Sequence, residues 1–256
     1  MRKLITLASF VALVMASCTN ETPADQTNAK GSVAFDLAIQ TEVDDTRANV
    51  SCTTPAAEAF DLTIEGVGHT YSKHYAAIAE FNEGDNYLYM GNYKATVTAG
   101  SLKEEGFDKA TFVGSADFAV AARANTDVNI TAYIANTLVK VETTAAFNEY
   151  FVGGAKFQLT TAAGNTFDVT GKTEPLFIAP AEFKINGTAV KQSIQSGAEG
   201  STVTLPEYKL ASPAAQTLYT IKFDVENAGK ATINITLNET LVDSFEIDEE
   251  LNENSK

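Results

Sequence analysis

The chain has 256 residues, of which 33 are Asp or Glu and 18 are Lys or Arg, for a formal net charge of -15. A body this acidic repels a phosphate backbone, which excludes nucleic acid as a partner. With two cysteines and no tryptophan, stability has to come from a buried core and not from a disulfide framework.

Met1-Arg2-Lys3 is followed by a run of apolar and small residues from Leu4 to Met15. A membrane-spanning helix needs about 20 apolar residues; this run ends after about a dozen, so residues 1–17 read as a signal peptide. Met15-Ala16-Ser17-Cys18 resembles the bacterial lipobox, in which the leader is cut before a cysteine that carries diacylglycerol. The resemblance implies lipidation of Cys18, with each buried acyl CH₂ contributing about 0.8 kcal/mol to anchoring. It also implies an outer-membrane lipoprotein of the cell envelope, touching the membrane through its lipid alone. Thr19-Asn20-Glu21-Thr22 has a single acid, which leaves surface exposure open. An acylated Cys18 leaves Cys52 without an intramolecular partner. Residues 18–31 are polar and lack hydrophobic period, as a flexible spacer does.

Beyond the spacer, apolar residues alternate with period two, the signature of half-buried strands. Val33, Phe35, Leu37 and Ile39 share one face; the sets Phe60, Leu62, Ile64, then Tyr93, Ala95, Val97, then Val128, Ile130, Ala132 repeat the pattern. Gly66-Val67-Gly68, Glu83-Gly84-Asp85-Asn86 and Gly100-Ser101 supply turn chemistry between them. Later sets are Phe157 and Leu159, Phe183 and Ile185, Val203 and Leu205, Tyr219 to Val225, and Ile233, Ile235, Leu237. Helical period is confined to about two turns at Tyr75 to Phe81 and at Ala145 to Val152. The expected fold is all-β: tandem Ig-like or transthyretin-like β-sandwiches over 32–136 and 137–247, with an acidic tail at 248–256. A single wide sandwich is the alternative.

The segment Tyr87-Leu88-Tyr89-Met90-Gly91-Asn92-Tyr93-Lys94-Ala95 precedes Gly100-Ser101, Glu105-Gly106-Phe107, Phe112-Val113-Gly114, Phe118 and Ala135-Asn136-Thr137-Leu138-Val139-Lys140-Val141. Over residues 32–152 this resembles a Bacteroidales lipoprotein family known only as a domain of unknown function. The shared positions are turn glycines and strand hydrophobics, so the resemblance implies a fold and no chemistry. At Ala132-Tyr133 the chain lacks a cysteine expected in many relatives. Tandem sandwiches behind a lipobox also resemble the fimbrillin group, lipoprotein precursors cut after an arginine and assembled by donated strands. That resemblance implies proteolytic processing at Arg47, exchange of strand 33–39, and the segment carrying Ile233, Ile235 and Leu237 as donor.

No G-x-S-x-G, H-E-x-x-H, P-loop, G-x-G-x-x-G or C-x-x-C occurs. His69 and His74 are the only histidines and read as turn or surface residues, so no metal, cofactor or catalytic set is expected. Asp44-Asp45 and the acidic tail lack EF-hand spacing. Tyr71, Tyr75, Tyr87 and Tyr89 form the one candidate ligand surface, since flat rings cover sugar C–H faces while polar neighbours bind hydroxyls. Cross-strand packing is the competing account of the same tyrosines. Two functions emerge. One is a non-enzymatic surface or fimbrial-type structural or adhesive subunit, with protein partners or self-assembly by strand exchange. The alternative is a glycan-binding lipoprotein of a polysaccharide uptake system.

Overall fold

Strand after strand, the period-two pattern becomes one buried and one exposed face. The computed structural model describes residues 28–43, 50–192, 199–226 and 232–246. In the first half run β1 (Lys30–Gln40), β2 (Asp61–Val67), β3 (Ser72–Tyr75), α1 (Ile78–Asn82), β4 (Tyr87–Tyr89), β5 (Gly91–Ala99), β6 (Gly106–Phe107), β7 (Phe112–Val120) and β8 (Asn125–Ile134). The second half continues with β9 (Thr137–Thr143), α2 (Ala145–Tyr150), β10 (Ala155–Thr161), β11 (Thr166–Asp168), β12 (Leu176–Ile178) and β13 (Phe183–Gln192). It ends with β14 (Glu199–Leu210), β15 (Leu218–Glu226), β16 (Thr232–Leu237) and β17 (Thr240–Glu246). The protein is all-β, and both short helices sit where a brief helical period was expected. Thr144 caps α2 by accepting the Phe147 N–H at 3.1 Å.

All strands of the first half except β6 form one seven-stranded sheet in the order β3-β2-β5-β7-β8-β1-β4. It folds over where β7 meets β8, because those strands pair only from Phe112–Gly114 to Ala132–Ile134. Gly114 makes that corner feasible: a Cβ there would lie 2.5 Å from the Thr131 carbonyl oxygen. Past the corner the layers face each other, with the ring of Phe35 on β1 5.5 Å from that of Phe118 on β7, edge to face. Phe81 of α1 plugs the space between them, 5.1 Å from Phe35.

The second half packs the sheet β11-β10-β13-β14 against the sheet β17-β16-β15-β9-β12-β6. Phe157 on β10 and Phe223 on β15 meet across the layers at 4.5 Å, and Phe147 of α2 lies 6.2 Å from each. Two pairings depart from all-antiparallel sandwiches. β1 runs parallel to β8 over Ser32–Gln40, and β9 runs parallel to β15 over Leu138–Thr143. Gly66 and Val67, expected in a turn, extend β2 instead, and only Gly68 takes the left-handed turn conformation at φ +83°.

The halves trade residues where they join. β6, from the first half, pairs with β12 and sends Phe107 against the second core, while Leu138 and Phe177 belong to the first. Glu105, just before β6, fixes this crossing with one carboxylate. Its Oε2 accepts from Thr161 Oγ1 at 2.6 Å and Asn165 Nδ2 at 2.8 Å, and its Oε1 accepts from the Ala179 N–H at 3.0 Å. On the connecting turn, Asn136 is fully buried and its Oδ1 accepts from the Thr111 N–H at 2.6 Å. Its carbonyl oxygen accepts from the Gln216 N–H at 2.8 Å, and Thr137 Oγ1 donates to the Ala214 carbonyl at 2.8 Å. An orphaned buried polar group costs about 1–3 kcal/mol; the Thr111 amide escapes that cost through Asn136 Oδ1, whereas Asn136 Nδ2 and Thr111 Oγ1 are buried without a partner among the described residues.

Asn136→Ala should therefore lower unfolding free energy by about 1–3 kcal/mol by stranding the Thr111 amide. Asn129→Ala, on the exposed face of β8, should stay within about 0.5 kcal/mol. Urea denaturation of both measures the contrast, and equal midpoints would contradict the role given to Asn136.

Candidate functional site: an aromatic sheet edge

β4 is three residues long, Tyr-Leu-Tyr, and a strand sends alternate side chains to opposite faces. Leu88 enters the core, so Tyr87 and Tyr89 project together from the outer face, 55% and 48% exposed. Met90 (39%) follows on the chain, and Val67 (54%) ends β2 opposite Asn92. Four of the described large apolar side chains that stay exposed thus belong to the segment 67–90. The Lys30 ammonium sits 5.0 Å above the Tyr89 ring, across the β1–β4 pair.

β4 pairs with β1 alone and closes one end of the sheet order. Val33 N–H donates to the Asn86 carbonyl and Met90 N–H to the Ala29 carbonyl. In an antiparallel ladder these flank the Gly31–Leu88 pair, so the backbone groups of Tyr87 and Tyr89 turn to the open edge. There the Tyr89 carbonyl accepts from Tyr93 Oη at 2.8 Å. Tyr93 is only 1% exposed and anchors the edge from beneath: its ring stacks on Phe118 at 5.5 Å and meets Tyr71 and His69 edge-on at 5.6 and 4.8 Å.

The four tyrosines singled out from the sequence separate into two environments. Tyr75 is buried, edge-on to Phe81 at 5.2 Å and under the Lys73 ammonium at 4.5 Å. Tyr71 is half-buried; loss of water first, then its hydrogen bond to Tyr75, pushes its phenol from the ordinary value near 10 up to about 12. Only Tyr87 and Tyr89 offer their rings to solvent. Lys30 and Met90, which join them there, carry no sequence signal beyond their proximity to β4.

His69 and His74 are held apart. His69 lies against Gly66 and Gly91, where a Cβ would come within 2.2 and 3.1 Å of the ring, and its Nε2 donates to the Asn92 carbonyl at 3.1 Å. His74 Nδ1 is 3.3 Å from Thr63 Oγ1, a cross-strand pair on the exposed side of β2 and β3. Among the described residues no three His, Cys, Asp or Glu side chains gather as metal ligands would. Cys52 is partly buried, and burial first, then the Asp108 carboxylate, raises its thiol above the usual range. An open groove of about 610 Å³ lies over the joint between the halves, lined by Lys103, Glu104, Lys109, Asn165, Thr166 and Phe167. Its one inner carboxylate, Glu105, is already committed to three donors. Among the described residues no helix is long and apolar enough to cross a membrane. Cys18 and Arg47 lie outside the described residues.

The family model of a domain of unknown function, DUF4493, matches residues 29–253. No curated protein matches the chain at a significant level. Similar solved structures include a "putative cell adhesion protein" from Bacteroides ovatus, 10% identical, covering 84% of this chain and 97% of that one, with a TM-score of 0.39. A "putative adhesin" from the same species is 12% identical, covering 86% and 96%, with a TM-score of 0.34. A structure from Bacteroides thetaiotaomicron described as "putative polysaccharide binding proteins" is 9% identical, covering 84% and 98%, with a TM-score of 0.37.

The raised phenol of Tyr71 has a stability consequence with a definite sign. The unfolded chain ionises this group near 10 while the folded chain holds its proton up to about 12, so stability falls as pH climbs through that window. Tyr71→Phe cannot ionise and should lose less stability than the parent between about pH 9.5 and about pH 11.5. Denaturant midpoints across that range give the slope, and equal slopes would contradict the assignment.

Proposed function

The chain belongs to the DUF4493 family, and from that membership, which names no activity, we propose that it is a non-enzymatic cell-envelope lipoprotein with an adhesive or structural role. In this reading acyl chains on Cys18 hold the protein at the outer membrane, the polar stretch that follows it spaces the body from the bilayer, and the β body carries the contact surface. The observation that supports the role is the exposed edge of Tyr87, Tyr89 and Met90, set on a buried aromatic base. Exposed apolar surface rimmed by polar groups is characteristic of interaction sites. Cleavage after Arg47 is part of the same proposal. β1 lies between β8 and β4, so its release would bare the β8 edge and leave β4 without its partner strand. The second reading, a glycan-binding lipoprotein of a polysaccharide uptake system, draws on two tyrosine rings side by side on one strand.

Two experiments separate the parts. Cys18→Ala should release the protein from the membrane fraction, since an apolar run of about a dozen residues cannot span; a variant that stays in the detergent phase with parental mobility would overturn the anchor. Cutting the purified protein with an arginine-specific protease and following its size by light scattering tests processing. Growth into oligomers that have shed the N-terminal fragment is the expected outcome, and a cleaved monomer that retains its fragment would overturn strand exchange.

A further inference from the structure

We propose that the occupant of the β4 edge is a linear, uncharged glycan, stacked on Tyr87 and Tyr89 and running along the strand; this rests on the reading of that edge as the contact surface. Three features point to it.

The first is ring placement. Tyr87 and Tyr89 are two residues apart on one face of a strand, which sets their rings about 7 Å apart in a row. Neighbouring sugar residues of one chain can then cover successive rings with their C–H faces. The second is the polar rim. The backbone groups of Tyr87 and the N–H of Tyr89 turn to the open edge, and both phenols stand beside it. These supply donors and acceptors in mixture, as hydroxyl groups require.

The third is size and charge, which decide against the other candidates. The exposed parts of Tyr87, Tyr89 and Met90 amount to roughly 300 Å², less than half of the roughly 800 Å² per partner that a stable protein interface buries. A strip of this size suits a narrow chain. The formal charge of -15 repels uronate and sulfate polymers. Lys30, the cation at the edge, is occupied by the Tyr89 ring.

The test is affinity electrophoresis of the detergent-solubilised full chain in gels containing a mixed-linkage β-glucan, an α-mannan, a galactomannan or polygalacturonate. At least one neutral polymer should retard the protein and polygalacturonate should not. Tyr87→Ala and Tyr89→Ala should each weaken that retardation about tenfold. Tyr87→Phe and Tyr89→Phe, which keep the rings, should retain most of it, and Tyr133→Ala, at an exposed tyrosine of β8, should leave it unchanged. Unaltered thermal melting of each variant shows that the fold is kept.

Three results would overturn the proposal: retardation by none of the neutral polymers, retardation by polygalacturonate alone, or equal retardation of the parent and the double Ala variant. A parallel assay, attachment of cells displaying the parent or the double variant to immobilised matrix proteins, distinguishes this failure from failure of the contact-surface reading. Attachment lost in the variant without any glycan binding keeps the edge as a contact surface and makes its partner a protein. Neutral glycan binding that is indifferent to both tyrosines refutes the edge itself.

Discussion

Reciprocal exchange of residues at the joint between the halves is the constraint from which the remaining architecture follows. Each core is completed by side chains from the other half: Phe107 crosses one way, Leu138 and Phe177 the other. A loose tether would allow either half to shift without cost. Here a shift must pull an aromatic ring out of a core and break the three bonds to Glu105 and those made by Asn136. Apolar burial supplies most of the energy, whereas the polar contacts fix direction, because each has one partner at one distance. The turn glycines and buried apolar residues of segments 105–107 and 135–141 are placed where this crossing needs them.

The strand faces were legible in the sequence because a half-buried strand has a period of its own. Phe35, Leu62, Val97 and Ile130 lie on buried faces as the alternation requires. Pairing partners were not legible in the same way. Nothing in the apolar pattern of β1 says whether its neighbour runs parallel or antiparallel, since both ladders bury alternate residues. β6 is only two residues long, too short to carry any period, yet it bridges the halves. Gly66 illustrates a different kind of miss. Its sequence context, Gly-Val-Gly, suggests a turn, but it is a strand residue kept small by the His69 ring resting on it, a contact visible only once the fold brings β2 and the following turn together.

The candidate site was half legible. Tyr-Leu-Tyr on a strand implies one apolar residue inward and two rings outward, and Tyr87 and Tyr89 obey. Tyr71 and Tyr75 have the same composition but sit beside Phe81 and Tyr93, which draw them toward the core. Residue type therefore proposes an aromatic surface, and the sheet order decides which rings are left over for it. β4 owes its edge position to β1, its one neighbour in the sheet. Whatever alters β1 also alters the tyrosine platform, so the N-terminal strand and the exposed β4 edge form a single mechanical unit.

The parallel pairing of β1 with β8 also sets a timetable. Ser32 finds its partner Asn125 only 93 residues later in the chain, and the ladder continues to Gln40 beside Tyr133. As the chain is made, its first strand is available early; it can meet β4 over Lys30–Ser32, but its longer ladder has no partner until β8 exists. β9 faces the same wait for β15. Contacts of such long sequence separation carry a loop-closure cost before they return any stabilisation, and topologies rich in them fold slowly. Val33 and Phe35 are thus among the first core residues to emerge from synthesis and among the last to be covered by their β8 partners.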